Sequence, residues 1–289
     1  MNLKTHIEQY LNYLKSENKS IKTLENYQHY LMRFWNWGKA RQVSDITDTL
    51  IKKYKQYLSN FRDEKGKKLK KVTQNYHLIA LRNFFRYLES LGTRVLDAKE
   101  VKLDRHEKWQ VGYLDHKELK RLLKAADGKD LRSLRDRAIL HILFSCGLRV
   151  SELCSLDKKQ IDLDKGKIEL KMKDGSRVIP LTNPAKKALA DYLNKMSNKD
   201  KALFIRLPKG NKINFIKSND LRLTPRSIQR IVKKYATKAG ILKKVTPHLL
   251  RHTCGTFLFR KGKDLEEVQN LLGHASLMTT KVYKKAKKQ

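Results

Sequence analysis

Four short segments in the second half of this 289-residue chain carry side chains suited to chemistry on a phosphate ester. Arg149 stands in GLRVSEL (147–153), His248 and Arg251 in HLLRHT (248–253), and His274 in LLGHAS (271–276); Tyr283 follows nine residues after that last histidine. A phosphodiester is an anion that gains charge as a nucleophile adds, and preorganised cationic donors stabilise that charge. Guanidinium suits the task because it is planar, always charged and bidentate to phosphate. Arg149 lies just past Gly147, at the break between an apolar helix and the next one, so its side chain can project from a rigid element into a cleft. His248 and Arg251 are three apart and share one helical face. Pro247 places them in the first turn, where free backbone N–H groups also favour an anion. His274 sits between two helix ends, where an imidazole can donate a hydrogen bond or carry a nucleophile's proton. A phenol has a pKa of about 10, so Tyr283 as nucleophile needs a proton acceptor or strong cationic stabilisation. Its attack on a phosphodiester would form a phosphotyrosyl bond and free a hydroxyl.

Each segment alone has a plainer reading. A surface arginine, a helix-terminal histidine and a half-buried tyrosine, one of twelve, are ordinary features. Their order along one strongly basic chain is what points to a phosphodiester. Sixty-five Lys and Arg stand against 29 Asp and Glu, a formal charge of +36. The excess runs the full length, as expected for extended contact with a polyanion. Hydrophobic residues at 40% and charged residues at 33% fit a folded chain of two domains with a substantial core. No stretch nears 18 consecutive apolar residues and the start, MNLKTHIEQYLNYLKS, lacks an apolar signal region, so neither a membrane span nor secretion is expected. Three cysteines without metal-ligand spacing fit a reducing cytoplasm. His252 lies four residues after His248, but a zinc-protease pattern needs Glu where Leu249 stands. No metal and no cofactor are expected.

The elements that must position these residues follow from periodicity and punctuation. Apolar residues at helical spacing predict helices over 3–16, 20–38, 45–59 and 72–91, the third capped by Asp45 or Thr47 and the fourth stopped at Gly92. Four helices with short connections predict a small bundle. Residues 93–112 lose the period and read as a linker. Beyond it, Asp115 with Glu118 caps a helix, and a second runs from Leu131 to Cys146. Strands are predicted at 159–163, 167–172 and 176–181, the last two joined by a hairpin turn at Asp174-Gly175. Helices follow from Pro184 to about Lys195, from Thr224-Pro225 to about Gly240, over HLLRHTCGTFLF, from Asp264 to Gly273, and from Ser276 through Tyr283. The fold class is therefore mainly α with a small antiparallel β-sheet.

In this order the motifs resemble the tyrosine recombinase (phage integrase) family, most closely its short Xer-like members, over nearly the whole chain. The resemblance implies a helical core-binding domain of SAM-like type at 1–92, the linker at 93–112, and an α+β catalytic domain at 113–289. It implies a site made of Arg149, Lys173, His248, Arg251, His274 and the nucleophile Tyr283, with Glu152 orienting the pocket. The lysine, on the β-hairpin, would protonate the leaving 5′-oxygen; Lys171, on the same strand face, competes with Lys173 for that role. The implied partner is double-stranded DNA, bound by a monomer or weak dimer that becomes a tetramer, of this chain or with a paralogue, on paired sites. Core-like helix begins at residue 3, without an arm-binding segment before it. Only KKAKKQ follows Tyr283, whereas longer relatives dock a tail there on a neighbouring subunit.

Site-specific recombination is thus the leading expectation, for dimer resolution or for integration and excision. A type IB topoisomerase shares the chemistry, and a basic DNA-binding protein without chemistry is the rival of another class; that rival has no use for six catalytic positions. Because the broken bond's energy stays in the phosphotyrosyl link, cleavage of a nicked duplex that traps the adduct is expected to proceed in excess EDTA. Loss of cleavage restored only by a divalent cation would contradict this.

Overall fold

The helices begin where short polar side chains replace missing backbone partners. Asn2, Ser20 and Thr47 accept hydrogen bonds from the first-turn amides of α1 (Leu3–Ser16), α2 (Ile21–Gly38) and α3 (Asp48–Asn60). Of the two candidate caps for α3, Thr47 takes the role, and Asp45 ends a short 3-10 turn before it. α4 (Lys71–Ser90) completes the set. The computed structural model describes residues 2–40, 42–105, 112–172, 175–197, 200–207, 221–274 and 276–283. Its contacts divide the chain into two units, Met1–Trp109 and Gln110–Gln289.

In the first unit the apolar faces of the four helices meet around Leu3, Ile7, Leu31, Phe34, Ile51, Tyr54, Leu81, Phe84 and Leu88. Residues 93–105, read from sequence as the start of a linker, pack onto this unit. Ala98 and Val101 are buried in its core, and Asn75 exchanges two hydrogen bonds with the backbone of Asp104.

The second unit has α5 (His116–Lys124), α6 (Leu131–Ser145) and α7 (Val150–Ser155), then a three-stranded antiparallel sheet in the order β1 (Ile161–Asp162), β2 (Lys167–Met172), β3 (Gly175–Pro180). α8 (Asn183–Lys195), α9 (Pro225–Lys238), α10 (Pro247–Arg260), α11 (Leu265–Leu272) and α12 (Leu277–Thr280) follow. The mainly α class with a small sheet is as expected. Two details differ. The hairpin ladder closes with Met172 paired to Gly175, so Gly175 belongs to the strand rather than to the connection; Lys173 and Asp174 lie outside the described residues. The last α-helix stops at Thr280, and Tyr283 sits in a 3-10 turn beyond it. Among the described residues, no helix is long and apolar enough to cross a membrane.

α6 is the central helix of this unit, with Ala138, Ile139, Ile142 and Leu143 all buried. It also carries a buried ion pair. Arg135 donates two bonds to Asp136 Oδ1, at 2.9 and 2.6 Å, and one to the carbonyl of Ile205; Tyr235 donates to the other carboxylate oxygen. Removing one partner strands a charge away from water. Asp136→Ala is expected to cost about 3–5 kcal/mol, seen as a lower denaturation midpoint in urea; a loss below about 1 kcal/mol would show that Arg135 finds other partners.

Candidate active site

Two helix C-termini and one helix N-terminus converge on a cluster of arginines. α6 ends at Ser145 and the chain turns through Gly147, whose φ of 58° is left-handed. A Cβ there would lie 2.3 Å from Leu272 Cδ2, so only glycine fits. The turn sets Arg149 as N-cap of α7, where its amide donates to Glu152 Oε2 at 2.7 Å and its Nη1 to Glu152 Oε1 at 2.7 Å. Its Nη2 donates to the carbonyl of Gly273 at 2.6 Å, just past the end of α11. Gly273 is the left-handed C-cap of that helix, as Asp264 and Glu267 form the capping box at its start.

Arg251 projects from the first turns of α10, which Thr246 caps and Pro247 opens. It is buried and donates to the carbonyls of Gly147 and Leu272, both at 2.7 Å. Glu152 Oε2 lies 3.9 Å away. Burial, then the charge of Arg149, pull the Arg251 pKa down to about 10, which leaves it charged at neutral pH. Carbonyls of helix C-termini carry partial negative charge, so they hold these cations where water cannot.

The sequence reading did not single out Arg177. This β3 residue reaches Glu152 Oε2 at 3.4 Å and its side chain is 10% exposed. Its Nε and Nη1 are buried without a hydrogen-bond partner. A Cβ on Gly273 would lie 1.7 Å from its Nη1, a second reason for glycine at the α11 terminus. The available signal was a charge at an inward strand position: Leu170 pairs with Arg177, and Ile168 and Ile179 on that face are buried. Three guanidiniums around one carboxylate leave two net positive charges.

The histidines and the tyrosine line up beside this cluster. Exposed His248 and buried His252 share one face of α10, their rings nearly perpendicular, with Nε2 to Nε2 at 2.8 Å. His252 Nδ1 lies 3.1 Å from the Tyr283 hydroxyl. The sequence reading considered His252 only as a metal ligand. The 31-residue separation from Tyr283 concealed its contact. His274 bonds Thr280 Oγ1 through Nδ1 at 2.9 Å, and its ring lies nearly parallel to that of Tyr283, 6.3 Å away. Tyr283 is only 2% exposed. Its ring lies flat on α10 at Gly255, where a Cβ would be 2.5 Å from Cζ. Burial outweighs the pull of Arg251 and raises its pKa to about 12. Burial and neighbouring cations lower His248, and hold His252 and His274 at about 4. All three histidines are therefore neutral at pH 7.

The structure thus brings together Arg149, Glu152, His248, Arg251, His274 and Tyr283. Lys173 lies outside the described residues; Lys171 is exposed on β2 and borders a depression that Glu152 also lines. Among the described residues, no group of His, Cys, Asp or Glu is arranged to hold a metal ion.

The pattern of the "Phage integrase family" matches residues 112–289, and that of the "Phage integrase, N-terminal SAM-like domain" matches residues 7–92. Tyrosine recombinase XerC of Thermodesulfovibrio yellowstonii is 34% identical over 98% of this chain and 92% of its own length. Tyrosine recombinase XerA of Pyrococcus furiosus is 32% identical over 96% and 88%. Among solved structures, the Tn1549 transposon integrase in complex with transposon right end DNA superposes with a TM-score of 0.76 at 18% identity, covering 98% of this chain and 94% of that one. The XerH site-specific recombinase bound to difH substrate gives 0.68 at 22% identity, covering 97% and 81%.

The slot at Gly255 is open to a minimal test. Gly255→Ala pushes a methyl group into the Tyr283 ring, and a shift of about 1 Å in a reacting group can cost 100-fold in rate. Formation of a covalent protein–DNA adduct is expected to slow by roughly that factor while DNA affinity holds. An unchanged adduct rate would show that the observed ring position is irrelevant to reaction.

Proposed function

The chain belongs to the phage integrase family and is a site-specific recombinase of the Xer type; from that premise we propose how its residues divide the work. The scissile phosphate of double-stranded DNA binds against Arg149 and Arg251, with His248 and His274 completing the donor set. Tyr283 attacks phosphorus, forming a 3′-phosphotyrosyl bond as the bond to the 5′-oxygen breaks. A hairpin lysine, Lys173 or Lys171, protonates that oxygen. Strand exchange follows when the 5′-hydroxyl of a partner strand attacks the phosphotyrosine and restores tyrosine.

One observation carries this reading. Arginines from α7's cap and from α10, both anchored by helix-terminal carbonyls, meet beside a tyrosine whose hydroxyl is hydrogen-bonded and whose ring is locked in place. The carbonyl anchors fix both guanidiniums before substrate arrives, as transition-state stabilisation requires. We further propose that 1–92 acts as the core-binding domain and 113–289 as the catalytic domain, joined by 93–112, of which 93–105 pack on the first unit. The uniform basic excess supports DNA contact by both parts. On paired sites we propose a tetramer, of this chain or with a paralogue, because strand exchange joins two duplexes cut in each strand.

The test uses a nicked duplex bearing a site that the chain itself selects from a random pool. Tyr283→Phe is expected to abolish the adduct with near-normal binding. Arg251→Ala and Arg149→Ala are expected to slow cleavage by orders of magnitude, roughly 100-fold or more for each lost donor. An adduct persisting in the Phe variant, or mapped to another tyrosine, would reject the assignment.

A further inference from the structure

We propose that His252 is a catalytic residue, the first proton acceptor for Tyr283, and that it passes charge outward to His248 through its second nitrogen. The inference rests on the reading of Tyr283 as nucleophile and adds the path of its proton.

The geometry is a line of three groups. The Tyr283 hydroxyl is 3.1 Å from His252 Nδ1, and His252 Nε2 is 2.8 Å from His248 Nε2. Neighbouring nitrogens at that distance need one proton between them. If the phenol donates to Nδ1, His252 carries its own proton on Nε2 and donates it to His248, which then bears a proton on Nδ1. Every group in the line is satisfied by this arrangement. The i, i+4 spacing on α10 keeps both rings on one face, and Gly255, one turn further, admits the tyrosine ring. His274, the other histidine near the phenol, is tied to Thr280 and offers a ring face to Tyr283.

The step balances. As the Tyr283 oxygen bonds to phosphorus, its proton moves to His252 Nδ1, and the Nε2 proton of His252 moves to His248 Nε2. The bond from phosphorus to the 5′-oxygen breaks, and the hairpin lysine supplies that oxygen's proton. His248 becomes an imidazolium at the exposed end of the line, beside the phosphate it helps to hold. Rejoining runs the same path in reverse. The charged and titratable groups facing His252 are His248 and Arg251 of α10, His274 after α11, and Tyr283. Burial, with the charge of Arg251 beside it, keeps the resting ring neutral and so able to accept. The proton leaves a phenol this basic only as its oxygen begins to bond phosphorus, so the transfer and the attack are coupled.

His252→Asn tests the idea. An amide can bond the phenol but cannot take its proton. Single-turnover cleavage of the self-selected nicked duplex is expected to fall roughly 100- to 10,000-fold at pH 7, with binding kept, and to rise with pH as hydroxide takes over. A rate within threefold of the parent, or a reduced rate with the parent's pH profile, would overturn the proposal. Should the variant misfold and lose DNA binding, the unmodified chain decides the matter. Nitrogen-15 spectra of labelled histidines are expected to show a bare Nδ1 and a protonated Nε2 on His252, and a proton on Nδ1 would overturn the assignment. Tyr283→Phe, run in parallel, separates the two readings. Loss of its adduct alongside a fully active His252→Asn removes only the relay, whereas a persisting adduct removes the nucleophile itself.

Discussion

Holding several like charges close together, before any anion arrives, is the constraint on which this site depends. Arg149, Arg177 and Arg251 surround the single carboxylate of Glu152, and Arg251 is almost wholly buried. Mutual repulsion would spread such a group in water. Here the last carbonyls near α6 and α11 accept hydrogen bonds from the guanidiniums instead: Gly147 and Leu272 from Arg251, Gly273 from Arg149. Those helix ends can approach so closely because Gly147 and Gly273 turn the chain in left-handed conformations without side chains. The two unpartnered nitrogens of Arg177, Nε and Nη1, mark unspent donor capacity beside the same carboxylate. A phosphodiester entering such a cluster meets donors already aimed, with Arg251 and Arg177 already desolvated, so little reorganisation accompanies reaction.

The nucleophile is governed by a different balance. Tyr283 is packed on Gly255 and hydrogen-bonded to His252, and its burial raises the pKa of the phenol. It is therefore inert until something accepts its proton and something else stabilises the charge that develops. α10 supplies both from one rigid element. Arg251 faces the helix-terminal carbonyls, while His252 faces the phenol and bonds His248 behind it. The cationic cluster and the histidine line are thus fixed relative to each other by helical geometry.

Much of this was legible in the sequence because it is local. Helix starts followed from Ser20, Thr47, Asp115 and Asp264 and from the spacing of apolar residues. The arginines, His248, His274 and Tyr283 were found through short motifs and a family resemblance. What escaped depends on contacts between distant segments. His252 looked like a failed metal ligand until the fold laid Tyr283 against it, and Arg177 looked like one basic residue among many until β3 turned it inward beside Glu152. The hairpin connection also lies one residue earlier than expected, with Met172 paired to Gly175, since turn chemistry alone can place a two-residue connection in either frame.

The most direct test of the central claim is a crystal structure of the Tyr283→Phe chain on its self-selected duplex. The account requires one backbone phosphate within hydrogen-bond distance of both Arg149 and Arg251, with His248 beside it and the ring of residue 283 facing phosphorus opposite the 5′-oxygen. A duplex seated with no phosphate at the two arginines, their guanidiniums still spent on helix-terminal carbonyls alone, would contradict it.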